Sequence, residues 1–401
     1  MISMARKRIF KSSLSDFSSR LAEETLTIGL ARVLSLQEYL GYDPDAIMVC
    51  LPGTTPTGGV DRLQKGFSLG AVLRYGYSSA NSNKEPLVVL NPKVNCCGVL
   101  VGSFRSDLPD KNYLMSKINR LRQKRPTING IKIILENYFI GNHFVNIYQQ
   151  SSFNDDRFWI AIHGSGEMRQ DSNLGMGVFI DESLRLQNIA RRYIAPLGDI
   201  YYLLGEDAEF FVGQCRKLEE ISAKSREYIA KEIIPDLDIF CNFCHLNIIA
   251  PGNYFLGAYN TVPGKIYPFL ISEKDGIALM KAKQNFSVQA IKELGWSRRA
   301  SEMGIWEILQ LINGLSHGGR KVYKQGDYRL INVHFDGKKI VFIVSDGGRI
   351  FSIDNLKQLG KIIYKGKDEL AHIQRLGMAD EVGRLLFGDK GYSLNANSVK
   401  I

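Results

Sequence analysis

The chain has 401 residues, 45% hydrophobic and 23% charged, which is ample apolar material for a large core and excludes disorder as its default state. Its formal net charge of +10 favours an anionic partner, because clustered Lys and Arg side chains release counterions when they meet phosphates. No run reaches the roughly 18 consecutive apolar residues that a membrane helix needs, so no membrane partner is expected.

From the start, residues 1–20 are Arg- and Ser-rich and acid-poor until Asp16, which reads either as an exposed, flexible basic N-terminus or as a transit peptide. Apolar, strand-like pieces follow at 46–51, 86–90, 131–135 and 157–163, separated by turn residues. Between them lies a basic run, Lys117, Arg120, Arg122, Lys124 and Arg125, with Tyr113 nearby. It reads either as a solvated helix face or as a grip on an RNA backbone. Over 208–234, Phe211, Cys215, Leu218, Ile221, Tyr228 and Ile229 recur at helical spacing, with charged residues elsewhere on the wheel, predicting a long amphipathic helix. The runs 328–335, 338–345 and 349–353 are divided by Asp336-Gly337 and Asp346-Gly347-Gly348, strong turn signals that predict a three-stranded meander. With no internal repeat and no long linker, these elements predict a mixed α/β (α+β) fold. One large domain over 1–401 is expected, with a central β-sheet layer flanked by helices.

Six cysteines, Cys50, Cys96, Cys97, Cys215, Cys241 and Cys244, are too few for a disulfide framework in so long a chain, so a reducing, cytoplasmic setting is expected. Histidine is equally scarce, with His143, His163, His245, His317, His334 and His372. His163 closes an apolar strand and opens into Gly164-Ser165-Gly166, a placement that aims an imidazole into a cleft. Cys97 follows another apolar run, and a thiolate beside imidazoles suits a soft divalent ion. The pair Cys241 and Cys244, joined by Cys96 or Cys97, offers a rival thiolate zinc site. A packed, buried cysteine is the ordinary alternative for each.

Four blocks taken together carry more than any one of them. Lys65-Gly66-Phe67-Ser68-Leu69-Gly70-Ala71-Val72, Cys97-Gly98, Gly141-Asn142-His143-Phe144 and Phe158-Trp159-Ile160-Ala161-Ile162-His163-Gly164-Ser165-Gly166 stand in the order and approximate spacing of blocks in the RtcB family of RNA ligases. Ala223-Lys224-Ser225-Arg226, Cys244-His245-Leu246-Asn247, the segment 363–368 and the terminal Val399-Lys400-Ile401 also look like blocks of that family. The resemblance covers most of the chain. It implies a GTP-dependent, divalent-metal-dependent joining of RNA ends, with manganese the usual ion and zinc the other candidate. RNA and GTP or GMP would be the partners. Cys97 would be the bridging thiolate, His143, His163 and His245 the imidazole ligands, and Asn142 and Lys400 the nucleotide contacts.

The chain also departs from the family pattern. The Asp expected three residues before the metal cysteine falls on Val94, with Asn95 beside it, and the family histidine before Asn247 falls on Leu246, one position from His245. Two placements compete for the histidine that would carry the nucleotide. Ser316-His317-Gly318-Gly319-Arg320 makes His317 the catalytic residue, whereas aligning Ser297-Arg298-Arg299-Ala300 leaves no histidine upstream. The expected function is therefore an RNA ligase-like phosphoryl transfer. Its alternatives are a catalytically degenerate relative that binds RNA or nucleotide, and a metal-stabilised interaction protein.

Overall fold

The computed structural model describes residues 1–56, 60–128, 130–133, 135, 138, 142–153, 156–166, 168–172, 175–272, 274–319, 321–323, 328–337, 339–360 and 362–395. Helices α1 (Ile2–Lys7) and α2 (Phe17–Tyr39) bracket strand β1 (Ile9–Lys11), and Asp16 caps α2 by accepting from the Ser19 amide at 2.9 Å. Strands β2 (Ile47–Thr55), β3 (Leu69–Arg74) and β4 (Gly98–Phe104) lead to helix α3 (Lys111–Lys124), then β5 (Phe144–Tyr148) and β6 (Phe158–Gly164). The 29-residue helix α4 (Gly205–Ile233) is followed by β7 (Asp238–Cys244), β8 (Leu246–Ala250) and β9 (Asn253–Leu256). Next come β10 (Ile266–Ser272), β11 (Gly276–Ala282) and β12 (Gly314–Ser316). The last part holds β13 (Arg329–Phe335), β14 (Ile340–Asp346), β15 (Arg349–Ile353), helix α5 (Gly366–Arg375), β16 (Ala379–Leu386) and β17 (Tyr392–Asn395). With 32% helix and 35% strand, the fold class is mixed α/β, as the pattern predicts.

The strands do not join into one central sheet. One five-stranded sheet runs β1-β2-β3-β9-β8 and another runs β7-β4-β6-β5-β17, with β10, β11 and β16 in a third. All the pairings of the two larger sheets are antiparallel except that of β1 with β2. The reason for the division is visible at residue 245. There the chain leaves the second sheet at the end of β7 and enters the first as β8, so two consecutive strands belong to different sheets.

Helix α4 crosses the back of both sheets. Its first half buries Phe211, Val212, Cys215, Leu218 and Ile221 in one core with α2 and the first sheet, and its last turns bury Ile229, Ala230 and Ile233 under the second. Burying each of the Phe, Val, Leu and Ile side chains is worth roughly 1.5–3 kcal/mol, so α4 clamps the two sheets together. The meander β13-β14-β15 forms as predicted, with Gly337, Gly347 and Gly348 supplying positive φ at its two turns.

Two expectations need correction. The N-terminal stretch is not a loose basic arm: it forms α1, then pairs Ile9, Phe10 and Lys11 in parallel with Met48, Val49 and Cys50, and Ile9 and Phe10 are buried. Apolar burial outweighs the basic composition there. Among the described residues of the strand expected over 131–135, Ile131–Lys132 pairs in a short hairpin, while Ile133 and Leu135 sink into the core beneath the second sheet. Apolarity in that segment serves burial instead of alternation. Among the described residues, no helix is long and apolar enough to cross a membrane.

One close approach explains a glycine of the first block. Gly66 sits at φ +85° against Gly29 of α2, and a Cβ on Gly29 would stand 2.0 Å from the Gly66 carbonyl oxygen. Both partners are backbone, so neither can turn aside. Gly29→Ala is expected to cost about 1–3 kcal/mol, the usual penalty of overpacking, read as a lowered urea midpoint with the slope unchanged. An unaltered midpoint would show that α2 can slide.

Candidate metal centre

Sheet register assembles the site. His163 on β6 lies opposite Val99 of β4 and Phe144 of β5, which brings Cys97, just ahead of β4, and His143, just ahead of β5, to the same sheet end. Cys244 of β7 pairs with Gly98, so the next residue, His245, meets Cys97 and donates its amide to the Cys97 carbonyl at 2.8 Å. Cys96 in turn donates its amide to the Leu246 carbonyl at 2.9 Å, and holds a left-handed φ of +53°. The seam between the two sheets is thus stitched on both sides of Cys97.

His317 arrives from a separate direction. It follows β12, its carbonyl accepts from the Leu270 amide of β10 at 2.9 Å, and Gly319 donates to the Leu270 carbonyl at 2.6 Å. Gly318 at φ +78° makes this docking possible, since a Cβ there would meet the Leu270 carbonyl oxygen at 2.0 Å.

The side chains converge. Cys97 Sγ stands 3.2 Å from His143 Nε2 and 3.1 Å from His163 Nε2. Ring centroids of His163 and His245 are 5.2 Å apart, those of His245 and His317 3.9 Å, and those of His163 and His317 5.7 Å. All five residues are buried, at 9% exposure or less. Four of the chain's six histidines are therefore in one cluster. The other two lie elsewhere, His334 exposed on β13 and His372 bonded to the Ser12 carbonyl.

Two backbone carbonyls set ring tautomers. His163 Nδ1 lies 3.0 Å from the Asn142 oxygen and His317 Nδ1 2.7 Å from the Gly318 oxygen, so each Nδ1 carries the proton and each Nε2 the lone pair. This is the arrangement of a metal-ligating imidazole, whose far nitrogen is anchored so that the near one is aimed. Burial pushes the Cys97 thiol up to about 12, against the opposing pull of the Arg226 and Arg62 guanidiniums. Arg226, fully buried, bonds the Gly164 carbonyl at 2.9 Å and Asn242 at 2.8 Å, fixing the end of β6 beside His163.

Cys97, His163 and His245 present ligand atoms within 4.8 Å of one another, close enough to hold a metal ion. Tetrahedral zinc bonded to sulfur and nitrogen separates its ligand atoms by roughly 3.5 Å, near the spacings seen here. His143 touches Cys97 but stands outside that trio. Among the described residues, no carboxylate joins the group. Val94 is buried in the core, and the Asn95 side chain accepts from the Cys97 amide at 3.3 Å, so the hard oxygen ligand of the family pattern has no replacement there.

The structure also decides points that the sequence left open. His245, one position from the expected histidine, reaches the cluster because Cys241, Phe243 and His245 alternate on one face of β7, whereas Cys244 and Leu246 face the other core. The same alternation separates Cys241 from Cys244, which removes the rival thiolate site. Asn142 offers its carbonyl to His163, and its side chain is exposed. Lys400 lies outside the described residues. Tyr259, buried with its ring 5.6 Å from His245, lines the cluster and had no signal in the sequence, since its short strand Ala258–Asn260 pairs only with β12.

A mixed α/β protein with a buried thiol and imidazole cluster able to hold a metal ion is what fold and site define. Compared with known protein families and with curated proteins, the chain matches none.

Because Cys97 contacts His143 and His163 at once, its removal should matter most. Cys97→Ala is expected to abolish retention of zinc or cobalt after dialysis, and His317→Ala to leave most of it. Equal metal content in the two variants, measured by elemental analysis on folded protein, would contradict Cys97 as the central ligand.

Proposed function

We propose that this chain is a metal-dependent protein of RtcB-like character that acts on RNA ends, using one divalent ion and GTP. The observation that carries the reading is the meeting of Cys97, His143, His163, His245 and His317, from segments separated by up to 220 positions, in one buried cluster. These residues belong to the blocks through which the sequence resembles the RtcB family. Cys97, His163 and His245 would hold the ion, with His143 at its edge. When bound, the ion would supply a Lewis acid for a phosphoryl oxygen. A thiolate with imidazoles and no carboxylate is a soft donor set, so zinc-type ions are favoured over manganese.

The chain's own groups fill defined roles in this reading. His317, with its proton held on Nδ1 by the Gly318 carbonyl, keeps its lone pair on Nε2, the form in which an imidazole attacks the α-phosphorus of GTP as the bond to the β-phosphate breaks and pyrophosphate leaves. The Asn142 carbonyl orients His163, and Arg226 anchors the strand end beside it.

A second reading has a specific observation in its favour. With Val94 buried and Asn95 turned to the Cys97 amide, the cluster lacks the acidic ligand of the resemblance, which favours a protein that binds RNA or nucleotide without joining ends.

The test is covalent labelling. Incubation with radiolabelled GTP and zinc, cobalt or manganese should yield an acid-labile guanylate on the parent and none on His317→Ala. Labelling that survives His317→Ala would reassign the nucleophile, and no labelling with any ion, alongside RNA binding, would establish the second reading.

A further inference from the structure

The basic run that the metal centre leaves unused lies on α3. Leu114, Ile118 and Leu121 pin that helix to the core beneath the second sheet, all at 2% exposure or less. The outer face carries Arg120 among Asn112, Ser116, Asn119 and Gln123, with Lys124 at its side, Lys111 and Arg125 exposed at the two ends of the helix, and Lys117 and Arg122 half-buried at the margins. No acidic residue occurs between 111 and 125. Of the carboxylates around it, Asp110 caps the helix by accepting from the Asn112 and Tyr113 amides. Asp236 accepts from the Arg105 and Ser106 amides, and Glu232 reaches Lys124 at the margin at 4.0 Å. The helix therefore presents a cationic surface with no acidic side chain of its own.

Its shape and chemistry narrow the partner. Asn112, Asn119, Arg120 and Gln123 stand side by side on the outer surface of the helix. Amides and a guanidinium donate to phosphate oxygens and sugar hydroxyls, the contacts that hold a nucleic-acid backbone. Tyr113 is 50% exposed, with Lys117 Nζ 5.5 Å from its ring centroid, which leaves an aromatic surface for a splayed base. At about 1.5 Å per residue the helix is roughly 21 Å long, enough to follow several successive phosphates. A lipid surface fits poorly, because Leu114, Ile118 and Leu121 are buried and the exposed side chains of α3 other than Tyr113 are polar or charged.

Along β6, Ile160 and Ile162 face the core under α3, whereas Trp159, Ala161 and His163 lie on the other face. The cationic helix and the thiol and imidazole cluster are thus on opposite sides of one sheet. We propose that the outer face of α3 is a docking site for the backbone of single-stranded RNA, an anchor remote from the metal centre. The inference rests on the RNA half of the proposed function and adds its place.

The experiment is fluorescence anisotropy of a labelled oligouridylate with the full chain, across a salt series starting near 50 mM. For a single strand each lost phosphate contact lowers the salt slope by about 0.7, so Arg120→Glu with Lys124→Glu should lower it by about 1.4 and weaken binding at least tenfold at low salt. Both residues are exposed, so melting temperature and metal content should match the parent. If parent and double variant bind RNA alike, the α3 site is overturned while the RNA reading stands. A parent that binds no RNA overturns both. Binding of phosphatidylserine vesicles with no RNA binding overturns the proposal in favour of a membrane surface.

Discussion

The seam where the chain passes from the second sheet to the first is the constraint on which the rest depends. Residues 96–98 and 244–246 are tied there by reciprocal backbone hydrogen bonds, Cys96 to Leu246 and His245 to Cys97. Strand register then leaves little choice. Once Gly98 is opposite both Gly164 and Cys244, the side chains of Cys97, His163 and His245 share one space. A slip of one residue in any of these pairings would send a ligand to the opposite face, so the cluster is as secure as the sheet hydrogen bonds that define it.

Burying five polar side chains together is costly unless each is engaged. For Cys97, His143, His163 and His317 the structure meets that cost with directed contacts. His163 and His317 give their Nδ1 protons to backbone carbonyls, and Cys97 lies within contact of two imidazoles. A thiol held protonated by burial avoids the much larger penalty of buried charge. An ion that displaced that proton would find its ligands oriented in advance, so that little ordering would be needed on binding. Arg226 is the exception, a buried guanidinium, and it is committed to Gly164 and Asn242.

Much of the architecture was legible in the pattern of the sequence. Helix α4 and the meander follow directly from helical spacing and from Asp-Gly turns, because both are local: their periods are written in consecutive residues. The segment 131–135 and the N-terminus were misread for a shared reason. Apolar content in a short run states that the run is buried, not which partner buries it, and that partner lies far along the chain. The residue types of the site were legible too, through the scarcity of histidine and through the family resemblance. Its membership follows from the resemblance alone, not from spacing. His245 looked one step out of register, and only the alternation of β7 across the sheet seam shows that it faces the cluster.

By itself the sequence determined the fold class, the local elements and a short list of soft donors, since composition and periodicity act over neighbouring residues. Only the tertiary structure decided which donors meet. It brought His317 beside His245, set Cys241 and Cys244 on opposite faces, bonded the Asn95 side chain to the Cys97 amide and put the cationic helix on the far side of the sheet. Each of those outcomes depends on register and on the packing of one layer on another, quantities that no stretch of neighbouring residues contains.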